Sequence, residues 1–382
     1  MHYFDNAATT FPKPDVVYKQ MDKFYRTYGV NVGRGQFKEA SIAHKMVEET
    51  RDLILSLFHC NKGNKQVVFT PSATEATNLV IKGLNLSKGD VVYTTCFEHN
   101  AVIRTLHMLE STTGIIVKVL YPKNNLRYDL NKIESEFVVN PPKVLIVNHA
   151  SNVFGFIAPI KELFFLAKEH AAITIADMAQ TAGLIDTDLN EIRCDYAIFA
   201  GHKTLYGPFG VAGLVLPNNC KLDPLIHGGT GTESVNPNMP IDEPIRYEAG
   251  SPNIHAIAGL NSSLKWLNEI GIENIRKKEE NNKQRLLSLL SKFDNITVYS
   301  CQDCDSIGVI SCNFDNYSSD NIGQVLSNFD IATRTGLHCA PKAHEFMGTA
   351  PAGTVRFSVG FFTDENDFEK LEEGLHFIAE NG

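Results

Sequence analysis

A chain of 382 residues, 43% hydrophobic and 21% charged, has enough apolar material for a large core and reads as a globular protein of two domains. Its formal charge of -9 and pI near 5.8 leave no basic footprint for nucleic acid or an anionic membrane. The opening residues, Met1 to Asn6, lack the basic start and apolar core of a secretory signal, and no apolar run approaches the roughly 20 residues that span a bilayer, so no membrane partner and a cytoplasmic setting are expected.

From about 14 to 216, helical patterns alternate with short apolar runs at 66–70, 90–95, 115–120, 144–148, 174–177 and 196–200, which predicts an α/β domain with a mainly parallel sheet. Ligands of such sheets sit beyond the strand carboxyl ends. Ser72 to Glu75, Glu98-His99-Asn100, Ser151-Asn152, Asp177 with Gln180, and His202-Lys203 all fall there, so one pocket is expected to collect them. The stretch 220–252, rich in Gly, Pro, Asn and Thr, reads as irregular. A long helical pattern over 254–293 follows, then strands at 297–299 and 306–314, a helix at 319–330, a loop holding Cys339, a strand at 354–359 and a final helix from Asp364. The expected division is a large domain over 14–255 and a smaller α/β domain over 256–382, joined by the segment 1–13.

Eight cysteines, at 60, 96, 194, 220, 301, 304, 312 and 339, are too sparse for a disulfide scaffold and read mostly as free thiols. Cys301-Gln-Asp-Cys304 is a lone CxxC without a second pair at metal-binding spacing, and it reads as a surface turn.

Lys203 directly follows the apolar run 196–200 and precedes a turn-rich segment. An ordinary lysine is only about 0.1% neutral at pH 7.4. The chemistry that most needs a neutral amine is Schiff-base formation, including that of pyridoxal 5'-phosphate (PLP); a snorkelling surface lysine is the plain alternative. PLP asks further for an acid at its pyridine nitrogen, a phosphate cradle and a ring against its face. Asp177 ends an apolar run 26 residues before Lys203, room for one helix and one strand, although capping the next helix explains it equally well. Thr70 to Thr77, with Ser72, Ala73 and Thr74, puts hydroxyl and small residues where a strand turns into a helix, which suits a phosphate or a capping box of Ser72 with Glu75. His202 offers a further phosphate contact, and His99 suits ring stacking and proton exchange or a structural hydrogen bond.

A second group lies near the C-terminus. Arg356, among apolar neighbours in a strand, suits a bidentate grip on a substrate carboxylate or a structural ion pair. Cys339 lies in a Gly- and Pro-bounded loop near two histidines and Arg334, where a thiolate is favoured; an ordinary free thiol is the alternative.

Together these segments resemble the class V aminotransferases of PLP fold type I, in the branch of cysteine desulfurases and selenocysteine lyases. The marks of the resemblance are Phe4 to Thr10, Thr74-Glu75, Glu98-His99, Ser151 to Gly155, Asp177 to Gln180, Gly201-His202-Lys203 with Tyr206 to Pro208, Tyr247 to Asn253, Gly336 to Ala340, and Arg356. It implies the PLP-dependent transferase fold and makes Lys203 the Schiff-base lysine and proton shuttle. Asp177 then pairs with the pyridine nitrogen, Gln180 bonds the phenolic oxygen, and His99 stacks on the ring and helps move the thiol proton. Thr74, with Ala73 beside it, and His202 take the phosphate; Ser251 reaches the phosphate of a neighbouring subunit in a homodimer. Asn152, also beside the cofactor, and Arg356 orient the substrate, and Cys339 accepts the sulfur. The implied reaction turns L-cysteine into L-alanine and leaves a Cys339 persulfide for an acceptor protein. A selenocysteine lyase, a true aminotransferase and a non-catalytic scaffold of this fold remain as alternatives. Leu337, Ser251 and Thr204 depart from the family pattern, and the role of Arg34 stays open between substrate entry and structure.

Overall fold

The computed structural model describes residues 1–32, 35–300 and 304–381; Arg34 and Cys301 lie outside the described residues. A seven-stranded sheet forms in the spatial order Lys65–Thr70, Ala212–Pro217, Tyr196–Ala200, Ile173–Asp177, Val144–Asn148, Val91–Thr95, Ile116–Leu120. The last five run parallel, and Ala212–Pro217 is antiparallel to both neighbours. Val144 and Ile146 enter the core on one face while Leu145 and Val147 enter the core on the other. Burial on both faces is why these strands read as continuous apolar runs rather than as alternations.

The strand Ala212–Pro217 is absent from the sequence reading. Its run is broken by Gly213, where an added Cβ would lie 2.4 Å from the Val68 carbonyl oxygen and 2.5 Å from the Phe199 ring. A tight approach between neighbouring strands, not a turn, explains that glycine. The helical pattern over 254–293 is likewise two helices, Ile254–Ile270 and Ile272–Leu290, divided at Gly271, whose φ of +85° ends the first. Within 220–252 the only helical element is a short turn at Ile245–Tyr247, in keeping with the irregular reading.

A second, antiparallel sheet has the order Arg334–Gly336, Thr354–Ser358, Val309–Phe314, Ile296–Tyr299. Its apolar face packs with the helices Ser319–Asn328 and Glu365–Glu380 around Phe357, Leu326 and Leu371. The N-terminal strand His2–Tyr3 runs parallel to Ile331–Ala332, and the chain then bridges from Asp5 to Ser358 before crossing to the lysine loop. The first ten residues therefore tie the small sheet to the carboxyl edge of the large one. Among the described residues no helix is long and apolar enough to cross a membrane.

Candidate active site

Strand register decides which side chains meet. Asn148 pairs with Asp177 and Asp177 with Ile198, so these strands end level and the residues after them share one edge. There, a cavity of about 220 Å³ opens. Ten of the residues singled out in the sequence line it: Lys203, Asp177, Gln180, His99, Thr74, Ala73, His202, Asn152, Arg356 and Cys339. Ser251 lies elsewhere, exposed, with its Oγ 3.5 Å from Asn31 Nδ2.

Lys203 sits three residues beyond its strand. Burial pulls its pKa from 10.5 down to about 8; Asp177 opposes this, while Arg356 and Arg334 add to it. At pH 7.4 that leaves about a fifth of the amine neutral, on the order of a hundred times the share of an ordinary lysine. Asp177 closes its strand and lines the cavity, and its Oδ1 accepts from the Ala179 amide at 3.0 Å in a turn; no helix lies between this strand and Tyr196–Ala200, so the helix-capping alternative is not borne out. His99 caps the helix Asn100–Thr112, its Nδ1 accepting from the Ala101 amide at 3.1 Å. Burial and the Lys203 cation hold its pKa below the usual value, so the ring is neutral and its proton sits on Nε2. The preceding residue, Glu98, is fully buried. Its Oε1 accepts from the Asn148 amide and from Thr95 Oγ1, both at 2.8 Å, and burial raises its pKa to about 8. A neutral Glu98 thus pins the turn that presents His99.

Ser72 caps the helix Ala73–Gly83 through the Glu75 amide at 3.2 Å. That cap serves the third helical amide, while those of Ala73 and Thr74, at the first two positions, have no intrahelical acceptor. His202 stacks on Phe209 with ring centroids 4.6 Å apart, and its Nδ1 is buried without a partner. Burial, with Lys203 and Lys13 nearby, pushes its pKa down to about 3.

Arg356 is 1% exposed. Its Nη2 pairs with Asp5, Nη1 donates to the Asn152 carbonyl at 2.9 Å, and Nε is buried without a partner. The ion-pair reading of this arginine is therefore correct, and its Nε is left without a partner in a side chain that lines the cavity. Asn152 in turn donates from Nδ2 to the His338 carbonyl at 2.7 Å and leaves Oδ1 buried and unpaired. The Cys339 loop is held a second time where the Cys339 carbonyl accepts from the Asn100 amide at 2.7 Å. His338 and Cys339 both adopt left-handed backbone, with φ of +46° and +59°. His338 is buried, bonds Thr354 through Nε2, and is kept neutral by a pKa pushed down to about 2. It therefore lends no positive charge to Cys339.

Two participants escaped the sequence reading. Asp5 enters there only as part of the Phe4 to Thr10 motif, with no role of its own, and the bridge to Ser358 brings it to Arg356. Lys13 reaches the His202 carbonyl at 2.6 Å and Thr10 Oγ1 at 2.8 Å, and burial lowers its pKa to about 7. Gln180 is drawn to the same segment, donating from Nε2 to the Ala7 carbonyl at 2.9 Å. Of the described cysteines, 60, 96, 194, 220, 312 and 339 are free thiols, whereas Cys304 is disulfide-bonded, which corrects the reading of its CxxC as a plain turn.

Replacing Asp5 by alanine strands the Arg356 cation in a buried site. The expected loss is about 3 kcal/mol of folding stability, read from the urea midpoint, with Asp5→Asn losing less; an unchanged midpoint for Asp5→Ala would remove Asp5 as the arginine's counter-charge.

The fold and the cavity define an α/β transferase of PLP fold type I, with a depressed-pKa lysine facing a carboxylate at the strand carboxyl ends. The aminotransferase class-V family model matches residues 2–371. A probable cysteine desulfurase of Pyrococcus abyssi is 32% identical over 99% of this chain and 93% of its own length, and one of Methanothermobacter thermautotrophicus is 30% identical over 100% and 96%. The solved apo structure of a cysteine desulfurase from Thermococcus onnurineus superposes with a TM-score of 0.91 at 27% identity, covering 100% of this chain and 95% of that one. The chain belongs to the class-V aminotransferase family.

Proposed function

We propose that this protein is a PLP-dependent cysteine desulfurase, which takes sulfur from L-cysteine, releases L-alanine and carries the sulfur on Cys339 as a persulfide for an acceptor. The observation that carries the reading is one cavity lined at once by Lys203, Asp177, His99, Arg356 and Cys339, in a chain similar over its full length to proteins of that name.

The cavity suits the cofactor because its polar atoms are left over in the right chemistry. His202 Nδ1 and the Ala73 and Thr74 amides remain for a phosphate, the second Asp177 oxygen for a pyridine nitrogen, the second Nε2 hydrogen of Gln180, beside its bond to Ala7, for a phenolic oxygen, and the neutral His99 ring for a face. When bound, PLP supplies an electron sink for negative charge at the substrate α-carbon. Lys203 anchors it and, once free, moves the proton at that carbon; a pKa near 8 lets the same amine take and return protons near neutrality. Arg356 Nε is a donor left for the substrate carboxylate, and Asn152 Oδ1 an acceptor left for its amino end. The Cys339 thiolate attacks the substrate sulfur. The S–S bond forms, the C–S bond breaks with its electron pair staying on carbon, and proton addition there completes alanine, so no outside oxidant or reductant enters.

We read Ser251 as serving the phosphate of a neighbouring subunit in a homodimer. Its place outside its own chain's cavity supports this, as do Val235 and Ile241, 99% and 82% exposed in the neighbouring irregular stretch. Six of the seven described cysteines are free thiols, Cys304 being the exception, a balance that suits a reducing, cytoplasmic setting.

The test is to give L-cysteine to the PLP-loaded protein. One alanine per subunit is expected without reductant, with continued turnover and sulfide release when a thiol reductant is added. Absence of alanine overturns the reading; a keto acid with cofactor converted to its amine form marks an aminotransferase instead.

A further inference from the structure

Cys339 lines two cavities. The inner one holds Lys203; the outer is a groove of about 360 Å³ between the helices Ala73–Gly83 and Asn100–Thr112. Lys82 stands on one wall and Arg104 on the other, both exposed. Among the described residues no carboxylate lines the groove and neither cation has an ion-pair partner. In a chain of net charge -9, two unpaired cations flanking the route to one thiol form a local field opposite in sign to the whole.

We propose that this groove is the sulfur exit: a docking site for a protein segment that presents a cysteine thiol between acidic side chains. The proposal rests on the desulfurase reading and adds the route and the partner's chemistry. A persulfide on Cys339 is discharged by a thiolate that attacks its outer sulfur. The bond between the two sulfurs breaks, Cys339 leaves as thiolate, and the partner cysteine becomes the persulfide, with electrons and atoms in balance. The attacking thiolate must reach Cys339 from solvent without crossing the inner cavity, which is occupied during turnover. The groove offers that second approach. Carboxylates beside the partner thiol meet Lys82 and Arg104, while Met108 and Thr105 between them leave a less polar floor for the segment's backbone.

The experiment loads PLP-bound protein with one sulfur per subunit using L-cysteine, removes the excess, and follows discharge to two synthetic cysteine peptides. One has the thiol flanked by aspartates, the other by lysines, and dithiothreitol serves as a neutral thiol. At low salt the acidic peptide is expected to discharge the persulfide about tenfold faster than the basic one, with the gap closing as salt rises. In the Lys82→Glu/Arg104→Glu variant the preference reverses, while the alanine burst and dithiothreitol discharge stay as in the parent. A normal burst with the same peptide preference in parent and variant overturns the groove alone. Loss of the burst in the parent protein overturns the desulfurase reading and the groove with it.

Discussion

Replacing Cys339 by alanine is expected to lower alanine formation from L-cysteine on the order of 10³-fold or more, while the cofactor's absorbance and its affinity stay as in the parent. The separation follows from where the residue is held. Cys339 is fixed by the Asn100 amide and, through the His338 carbonyl, by Asn152, and none of these bonds passes through Lys203, Asp177 or the Thr74 helix end. Removing one thiol leaves the cofactor's surroundings in place and takes away the one thiol that lines the cavity among the described residues. Alanine measured in a single turnover, beside a visible spectrum, decides the matter. Parent-like alanine formation by Cys339→Ala would take away its role as sulfur acceptor. Selenocysteine is an informative second substrate, because a variant that still turns it over while failing on cysteine places the protein nearer to the lyases.

Lys203→Ala is the second large effect. Turnover is expected to fall on the order of 10³-fold or more, and borohydride should no longer fix the cofactor to the protein. In the parent protein, the rate at which borohydride fixes added PLP to Lys203 should rise with pH around a midpoint near 8, because attachment needs the neutral amine and burial lowers this pKa from 10.5 to about 8. Asp177 holds that pKa up, so Asp177→Asn moves the midpoint below the parent's. A parent midpoint near the ordinary lysine value would show that Lys203 is not tuned by its surroundings. Fixation that survives in Lys203→Ala would move the anchor to another lysine, of which Lys13, with a pKa of about 7, is the nearest rival.

What the sequence could show followed from local pattern. Apolar runs ending in, or followed closely by, a polar residue marked the carboxyl ends of Val144–Asn148, Ile173–Asp177 and Tyr196–Ala200, and with them the side of the sheet where Asp177 and Lys203 meet. A strand buried on both faces announces itself by composition, and the turn after it by Gly and Pro. Ala212–Pro217 escaped because Gly213 answers to the Phe199 ring beside it, a contact with no trace in the run's own residues. The break at Gly271 escaped because apolar periodicity continues on both sides of it.

The site shows the same division. The types of residue needed at the cavity, lysine, carboxylate, arginine and thiol, were determined by the sequence alone, as was the family resemblance they carry. Their electrostatic state was not. Arg356 could be read equally as an ion pair or as a carboxylate clamp until the N-terminal segment brought Asp5, 351 residues away, onto Nη2 and left Nε open. Lys203 has its altered pKa only because burial and two arginines from the small sheet surround it, and Cys339 faces a second groove only because two helices of the large sheet flank its loop. Charge states and routes of access depend on burial and on long-range neighbours, which packing supplies and local sequence does not.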